Sequence, residues 1–194
     1  MNRKNNQSFL LFIICIAAII IAGCLGFGNK EVIFFESSDS TTSLEEHGKS
    51  WLFSSLKDIA TDNEFRVFDL LEDERPIIIH TFAVWCPACT IQLLESSHLI
   101  ETNPDTYHLL AMDIDPREYP ELVKNHIARN SFSGKFVILS TEDTRSLIDT
   151  FGTRIIISLP QTVIICNNTA LYVGDGVYRK EHLKEIIHSS CQIN

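Results

Sequence analysis

The sequence predicts an α/β fold in which helices flank a central mixed β-sheet. Patterns of buried strands alternate with helical patterns from residue 77 to residue 151, an order typical of parallel strands joined by crossover helices. Two later strand patterns, separated by Asn167-Asn168-Thr169, predict an antiparallel hairpin. The 194 residues are 45% hydrophobic, which suits one globular domain with appended segments. A net charge of −9 disfavours a nucleic-acid partner, since such partners require basic patches.

The N-terminus, residues 1–23, has the pattern of a signal peptide or lipoprotein anchor segment. Two basic residues precede the apolar run Phe9–Ala22, and Ile21-Ala22-Gly23-Cys24 resembles the lipobox of prokaryotic lipoproteins, in which Cys24 would be lipidated after cleavage. The alternative is an uncleaved transmembrane helix from Phe9 to about Phe27. Both alternatives place the protein at the cell membrane, with its domain facing outside the cytoplasm.

Residues 24–50 are expected to form a flexible tether, because Ser37–Ser43 is polar and of low complexity. The globular domain is expected to span residues 51–194. It begins with two short apolar runs, Phe53–Ile59 and Glu64–Phe68, on either side of a turn-prone segment. These runs predict an N-terminal β-hairpin extension.

The remaining elements follow from apolar periodicity and helix-capping residues. Ser140, with Asp143 three residues later, predicts the start of a helix that Gly152 ends. The helix after Cys89 is expected to carry Ile91, Leu94 and His98 on one side. The predicted elements are a buried strand from Ile77, helix Cys89–Ile100, strand Tyr107–Ile114, helix Glu118–Asn130, strand Lys135–Leu139, helix Ser140–Phe151, strands Val163–Cys166 and Ala170–Val173, and helix Lys180–Ser190.

The segment Cys86-Pro87-Ala88-Cys89 lies where the buried strand meets the following helix. Pro87 suits the first turn of a helix, because its φ is fixed and that position needs no N–H donor. Cys86 would then face unpaired N–H groups and the positive end of the helix dipole, which favours a thiolate. Because a second thiol is in reach, we predict a thiol–disulfide redox centre with Cys86 and Cys89 as catalytic residues.

The segment Val84-Trp85-Cys86-Pro87-Ala88-Cys89 after an apolar strand resembles the active site of the thioredoxin superfamily, and its membrane-anchored TlpA-like branch in particular. The resemblance covers about residues 51 to 190. It implies a thioredoxin-like fold and a thiol–disulfide oxidoreductase that reduces or exchanges disulfides in client proteins. It also implies a membrane electron donor, and no cofactor beyond the Cys86–Cys89 disulfide.

A second part of the resemblance is Ser158-Leu159-Pro160-Gln161-Thr162 before a strand. Proteins of this superfamily carry a cis-proline there, and Pro160 matches that position. The match implies that the backbone of Leu159 pairs with an extended substrate peptide, with Trp85 and Pro87 supporting the site. Residues 153–159 are a few more than the family usually has, and they form either a substrate-facing loop or a packed surface insertion.

Several residues keep two interpretations. His80 is either a proton relay for the cysteines or a hydrogen-bonded core histidine. Trp85 either shields the active site or packs in the core. Cys166 is either a small buried hydrophobe or the partner of Cys191 in a structural disulfide, because sequence alone does not give connectivity.

Two other functions compete with the redox enzyme. One is an extracytoplasmic metal-binding module or metallochaperone that uses Cys86, Cys89 and His80, although structural zinc usually takes four ligands and this chain has a single CxxC pair. The other is a redox-inactive binding domain on a tether. Our main prediction includes no metal site.

Overall fold

The computed structural model of the chain describes residues 41–43 and 50–191. The predictions for residues 1–23, for Cys24 and for most of the tether lie outside these residues. The strands are β1 (Thr41–Ser43), β2 (Leu56–Lys57), β3 (Glu64–Phe65), β4 (Ile77–Phe82), β5 (His108–Asp113), β6 (Lys135–Ile138), β7 (Gln161–Cys166) and β8 (Thr169–Asp175). The helices are α1 (Ser50–Phe53), α2 (Val67–Leu71), α3 (Pro87–Thr102), α4 (Pro120–Asn130), α5 (Thr141–Phe151), α6 (Arg154–Ile157) and α7 (Lys180–Cys191).

Six strands form one mixed sheet in the order β1-β8-β7-β4-β5-β6. Strands β4, β5 and β6 are parallel, with α3 and α4 as the crossovers between them. Strand β7 is antiparallel to β4, and β8 is antiparallel to both β7 and β1. The predicted mixed sheet with flanking helices is therefore confirmed. Strand β4 is central in the sheet and helices cover both of its faces, so all six of its residues are buried.

Alternate residues of β4 face opposite layers of helices. On one face, Ile77 and Ile79 pack in an apolar cluster with residues of α1, α5 and α6. On the other face, Ile78 packs with residues of α3 and α7. Phe82 lies on that same side, in a cluster that also contains Cys86 and Cys89. The alternation thus fixes which layer covers each residue near the end of β4.

The start of the domain differs in part from the prediction. The predicted hairpin is present as the antiparallel pair of β2 and β3, but it is shorter, with α1 before it and α2 after it. Trp51 in α1 is fully buried against Phe151, at 5.8 Å between ring centroids. This burial holds the segment in a helical turn rather than a strand. Residues Thr41–Ser43, which we assigned to the tether, form the edge strand β1.

The predicted capping residues and turns are in place. Ser140 accepts a hydrogen bond from the Asp143 N–H at 3.0 Å, and α5 ends at Gly152, whose φ is +79°. Asn167 and Asn168 both have positive φ and form the tight turn between β7 and β8. The helix of one turn, α6, was not predicted.

The buried face of α3 is not the one that we expected from its apolar residues. Ile91 is 51% exposed and His98 is exposed, whereas Gln92 and Ser96 are fully buried. The helix therefore buries polar side chains, which take hydrogen bonds inside the domain. A pattern based on apolar residues points to the wrong face of such a helix.

Cys166 and Cys191 form a disulfide, with 5.7 Å between their Cα atoms. The bridge joins the last residue of β7 to the last residue of α7. Of the two interpretations of Cys166, the structure supports the disulfide partner. The bridge lies at the end of β7 that is remote from Pro160.

Candidate active site

Cys86 and Cys89 form a disulfide at the N-terminus of α3, with 5.2 Å between their Cα atoms. Cys86 is the N-cap residue, and Pro87 occupies the first turn as predicted. The Sγ atom of Cys86 accepts a hydrogen bond from the Cys89 N–H at 3.1 Å. Cys86 is 5% exposed and Cys89 is fully buried. In the reduced protein the same N–H and the helix dipole would stabilise a thiolate on Cys86.

The segment before β7 brings a distant part of the chain to the cysteines. The Leu159–Pro160 peptide bond is cis, which confirms that prediction. The carbonyl oxygen of Leu159 lies 3.8 Å from the Sγ of Cys86, so a thiol at that position could donate to it. The Leu159 side chain packs against the apolar cluster around both cysteines.

Trp85 lies on the surface beside Cys86, with 62% of its area exposed. It is therefore not a core residue. Its indole Nε1 donates a 2.7 Å hydrogen bond to Asp115, which also binds Arg117 at 2.6 Å. The Arg117 guanidinium, followed by the indole, holds the pKa of the Asp115 carboxyl well below its usual range. The ionised carboxylate fixes the orientation of the indole.

Trp85 and Cys86 line an open groove of about 440 Å³. Ile156, Ile157 and Leu159 line the same groove. Ile157, at the end of α6, is 75% exposed. Asp115 and Arg117 also line the groove, so it is mainly, but not wholly, apolar beside the more accessible cysteine.

The residues between Gly152 and Pro160 form an anchored segment. The Thr81 hydroxyl of β4 donates to the Ile155 carbonyl at 2.8 Å, and the Arg154 guanidinium lies 3.8 Å from the centre of the Tyr172 ring. The Ser158 hydroxyl donates to Asp175 at 3.0 Å. These contacts hold the backbone of α6 while leaving the Ile157 side chain in solvent.

His80 is fully buried, and both of its ring nitrogens are hydrogen-bonded to hydroxyl groups. Nδ1 lies 3.1 Å from the Thr162 hydroxyl and Nε2 lies 2.7 Å from the Ser96 hydroxyl. Ser96 is seven residues after Cys89, about 10 Å further along the helix. Burial lowers the pKa of His80 to about 4, so the ring is neutral at pH 7. His80 is thus part of a buried polar network that includes Gln92, which donates to Ser96 at 3.2 Å.

Two acidic residues beside the active-site turn were missed by the sequence analysis. Glu118 accepts the Val84 N–H with both carboxylate oxygens, at 3.0 Å each. Asp113, the last residue of β5, is fully buried beside Phe82 in the sheet register. Burial, with the neighbouring Glu118 carboxyl, raises the pKa of Asp113 to about 8. An acidic residue in an otherwise apolar strand, Leu109–Met112 before Asp113, was the signal available in the sequence.

The structure also bears on the proposed metal ligands. Within residues 50–191 no group of three or more His, Cys, Asp or Glu side chains is placed to hold a metal ion. The ring nitrogens of His80 are directed to Thr162 and Ser96. The two cysteines are bonded to each other. The three residues named for the metal-binding alternative are therefore not brought together as a ligand set.

The arrangement supports disulfide exchange chemistry. A dithiol at a helix N-terminus can ionise at one sulfur, and the partner sulfur lies within bonding distance. Beside it, the backbone at Leu159 and the groove offer a place for an extended polypeptide. Cys86, Cys89, Trp85, Pro87, Leu159 and Pro160 lie together, whereas the ring nitrogens of His80 bond to Thr162 and Ser96 rather than to either cysteine.

The fold resembles that of several solved structures. A thiol:disulfide interchange protein of the thioredoxin family from Chlorobium tepidum TLS matches with a TM-score of 0.59 and 18% identity, over 71% of this chain and 92% of that chain. StoA from Bacillus subtilis matches with a TM-score of 0.52 and 19% identity, over 68% and 93%. A secreted Mycobacterium tuberculosis disulfide oxidoreductase, homologous to E. coli DsbE, matches with a TM-score of 0.57 and 12% identity, over 72% and 98%.

These matches establish a thioredoxin-like fold for the domain. No family model matches the sequence, and no curated protein does.

Proposed function

We propose that this protein is a thiol–disulfide oxidoreductase in which the Cys86–Cys89 pair exchanges electrons with the cysteines of client proteins. The observation that carries the proposal is the disulfide at the N-terminus of α3, with its outer sulfur 3.8 Å from the Leu159 carbonyl next to a cis-proline. The likeness to thiol:disulfide interchange proteins supports it. No cofactor is required beyond the disulfide itself.

In the reducing direction, the Cys86 thiolate attacks one sulfur of a client disulfide. A mixed disulfide forms, and the other client sulfur leaves as a thiolate that takes a proton from water. Cys89 then loses its proton and attacks the Sγ of Cys86. The Cys86–Cys89 disulfide forms, the second client sulfur leaves, and two electrons have passed to the client.

We further propose that the domain works outside the cytoplasm on a membrane anchor, by lipidation of Cys24 or by an N-terminal helix. A membrane protein dithiol would then return the reduced form. The Cys166–Cys191 disulfide supports this location, because structural disulfides persist in oxidising compartments. Labelling of intact cells with a membrane-impermeant amine reagent, which would modify exposed lysines such as Lys124, tests the location, since a cytoplasmic domain would stay unlabelled.

The groove suggests how a client binds. An extended segment of client polypeptide would pair with the backbone at Leu159, and its apolar side chains would contact Trp85 and Ile157. Of the two interpretations of the extra residues before Pro160, the exposure of Ile157 beside Cys86 favours a substrate-facing loop. His80 would be a core residue in this scheme rather than a proton relay.

A redox titration against glutathione tests the activity and its direction. A reversible two-electron midpoint potential near −270 mV, roughly that of thioredoxin, would indicate a reductant, and one near about −120 mV would indicate an oxidant. The Cys166→Ser/Cys191→Ser variant should retain this midpoint. If the Cys86–Cys89 pair shows no reversible oxidation between these limits, the proposal is wrong.

A trapping experiment tests the mechanism. The Cys89→Ser variant should accumulate mixed disulfides with client proteins, because Cys86 can attack but the resolving thiol is missing. The Cys86→Ser variant is the matched control and should trap none. Equal trapping by both variants would contradict the assignment of Cys86 as the attacking residue.

A further inference from the structure

A pair of carboxyl groups, the buried Asp113 and the partly buried Glu118, lies beside the turn that carries Cys86. Asp113 is fully buried. Among the buried side-chain oxygen and nitrogen atoms of the described residues, its Oδ2 is the one that has no hydrogen-bond partner. Its other oxygen accepts the Asp115 N–H at 2.9 Å. The Glu118 carboxyl is close enough to contribute to the raised pKa of the Asp113 carboxyl. Two ionised carboxylates cannot bond to each other, so a bond between them requires one shared proton.

The position of the pair connects it to the cysteines. Asp113 follows Ala111 by two residues, so both lie on the same face of β5. Ala111 packs in the apolar cluster that contains Cys86 and Cys89. Glu118 reaches the same region from the loop after β5 and holds the Val84 N–H, two residues before Cys86.

We propose that Asp113 and Glu118 share one proton, and that this shared proton lets Glu118 hold the Val84 N–H and so position the turn bearing Cys86 for disulfide exchange. In this state Asp113 donates to Glu118, and the pair carries a single negative charge. Above the pKa of Asp113 the proton passes to solvent through Glu118, which is partly exposed. Two adjacent negative charges then repel, and Glu118 moves away from Val84.

The surroundings of Asp113 favour this sharing. Its neighbours in the sheet register, Phe82 on β4 and Ile138 on β6, are apolar. The titratable groups that act on it are Glu118 and Asp115, both acidic. Arg117, which follows Asp115 by two residues, is ion-paired with Asp115. Among the described residues, no cation is recorded as acting on the desolvated Asp113 carboxyl, so its protonated form is favoured at neutral pH.

The pair is tested first in the oxidised protein, without any exchange reaction. With ¹³C-labelled carboxyl groups, one Asp resonance should titrate near pH 8, and the ¹⁵N–¹H resonance of Val84 should shift over the same pH range. Both changes should be absent in Asp113→Asn, whose amide donates to Glu118 at every pH. A Val84 resonance that stays constant from pH 6 to pH 9 in the wild type would overturn the proposal.

The second test rests on the proposed function and measures exchange with a client disulfide from pH 6 to pH 9. The ratio of the Asp113→Asn rate to the wild-type rate should be near one at pH 6 and rise at least threefold by pH 9. Glu121→Gln, an exposed acid on α4, is the control and should give a flat ratio. In Glu118→Gln the pH-dependent shift of the Val84 resonance should also disappear, because the glutamine amide donates to Asp113. The test therefore does not depend on one variant.

The two tests separate the two proposals. If the Val84 amide resonance shifts with pH in a protein that has no exchange activity, the carboxyl pair is supported and the oxidoreductase proposal is refuted. If that resonance stays constant with pH in a protein with exchange activity, the carboxyl pair is refuted and the oxidoreductase proposal is supported. A wild-type and Asp113→Asn pair with the same pH profile of exchange would show that the shared proton does not position Cys86.

Discussion

The Sγ of Cys86 lies 3.8 Å from the carbonyl oxygen of Leu159, although the two residues are 73 positions apart in the chain. The contact joins the N-terminus of α3 to the segment that precedes β7. It is possible because β4 and β7 are neighbours in the sheet, so the ends of both strands meet at one edge. A groove lined mainly by apolar residues, together with Asp115 and Arg117, opens at this edge.

We expect Ile157→Ser to weaken client binding. Ile157 is exposed beside Cys86, and losing part of its apolar contact with a client should cost about 1 kcal/mol, or roughly a fivefold rise in KM. The rate with a small disulfide that does not fill the groove should stay unchanged. Ile91→Ser is the matched control, since Ile91 is exposed but does not line the groove. An equal effect of both variants would refute a specific role for Ile157.

We expect Asp115→Ala to free the Trp85 indole. The Nε1–Asp115 hydrogen bond is worth about 1–3 kcal/mol with a charged acceptor, and its loss should lower the rate of client exchange by roughly fivefold or more. Fluorescence anisotropy should report a more mobile indole against the constant signal of buried Trp51. Arg117→Ala removes the salt bridge but keeps the indole contact, so it should leave the anisotropy close to wild type. If Arg117→Ala lowers the exchange rate and the anisotropy as much as Asp115→Ala does, the effect of Asp115→Ala does not come from the loss of the indole hydrogen bond.

We expect His80→Asn to reduce acid destabilisation. The pKa of His80 is about 4 in the folded protein and about 6.5 when exposed, so the unfolded chain alone binds a proton between these values. The free energy of unfolding of the wild type should therefore fall with decreasing pH in this window, by roughly 3 kcal/mol more than that of the variant. Chemical denaturation at pH 7 and pH 4 measures the difference. His98→Asn, on the exposed face of α3, should follow the wild type.

The same variant separates the two roles considered for His80. A core histidine with hydroxyl partners predicts an exchange rate within about twofold of wild type at pH 7, provided that the fold is intact. A tenfold loss of rate without a loss of stability would instead support a proton relay.

We expect removal of the Cys166–Cys191 disulfide to lower stability but not redox activity. The bridge closes a loop with a sequence separation of 25, which corresponds to about 3.5 kcal/mol of loop entropy in the unfolded chain. Guanidinium unfolding of Cys166→Ser/Cys191→Ser should show this loss. The midpoint potential of Cys86–Cys89 should stay the same, and a change in it would mean that the two bridges are coupled.

Much of the fold could be predicted because its signals are local. Ser140, Gly152 and the pair Asn167-Asn168 determine caps and turns through their own backbone chemistry, and each is found in the expected role. The cysteine pair and Pro160 carry the candidate site in the same way. The strand of apolar residues from Ile77 needs only burial on both faces to be recognised.

The rest depends on tertiary contacts that no local pattern contains. Helix α3 buries Gln92 and Ser96 because His80 and the backbone of Tyr178 provide their partners from other elements. The edge strand β1 forms only because it pairs with β8. Glu118 comes close to Asp113 because the loop after β5 brings it back to Val84. The connectivity of Cys166 and Cys191 depends on where α7 ends against β7.

Because the protein has two disulfides, a count of free thiols does not by itself give the redox state of the Cys86–Cys89 pair. All four of their sulfurs belong to buried residues, Cys86, Cys89, Cys166 and Cys191, so accessibility alone does not rank them. A colorimetric titre of two liberated sulfhydryls would describe either bridge equally well. Peptide mapping after differential alkylation is what turns such a titre into a statement about catalysis, since light and heavy labels on Cys86 and Cys166 report the opening of each bridge separately.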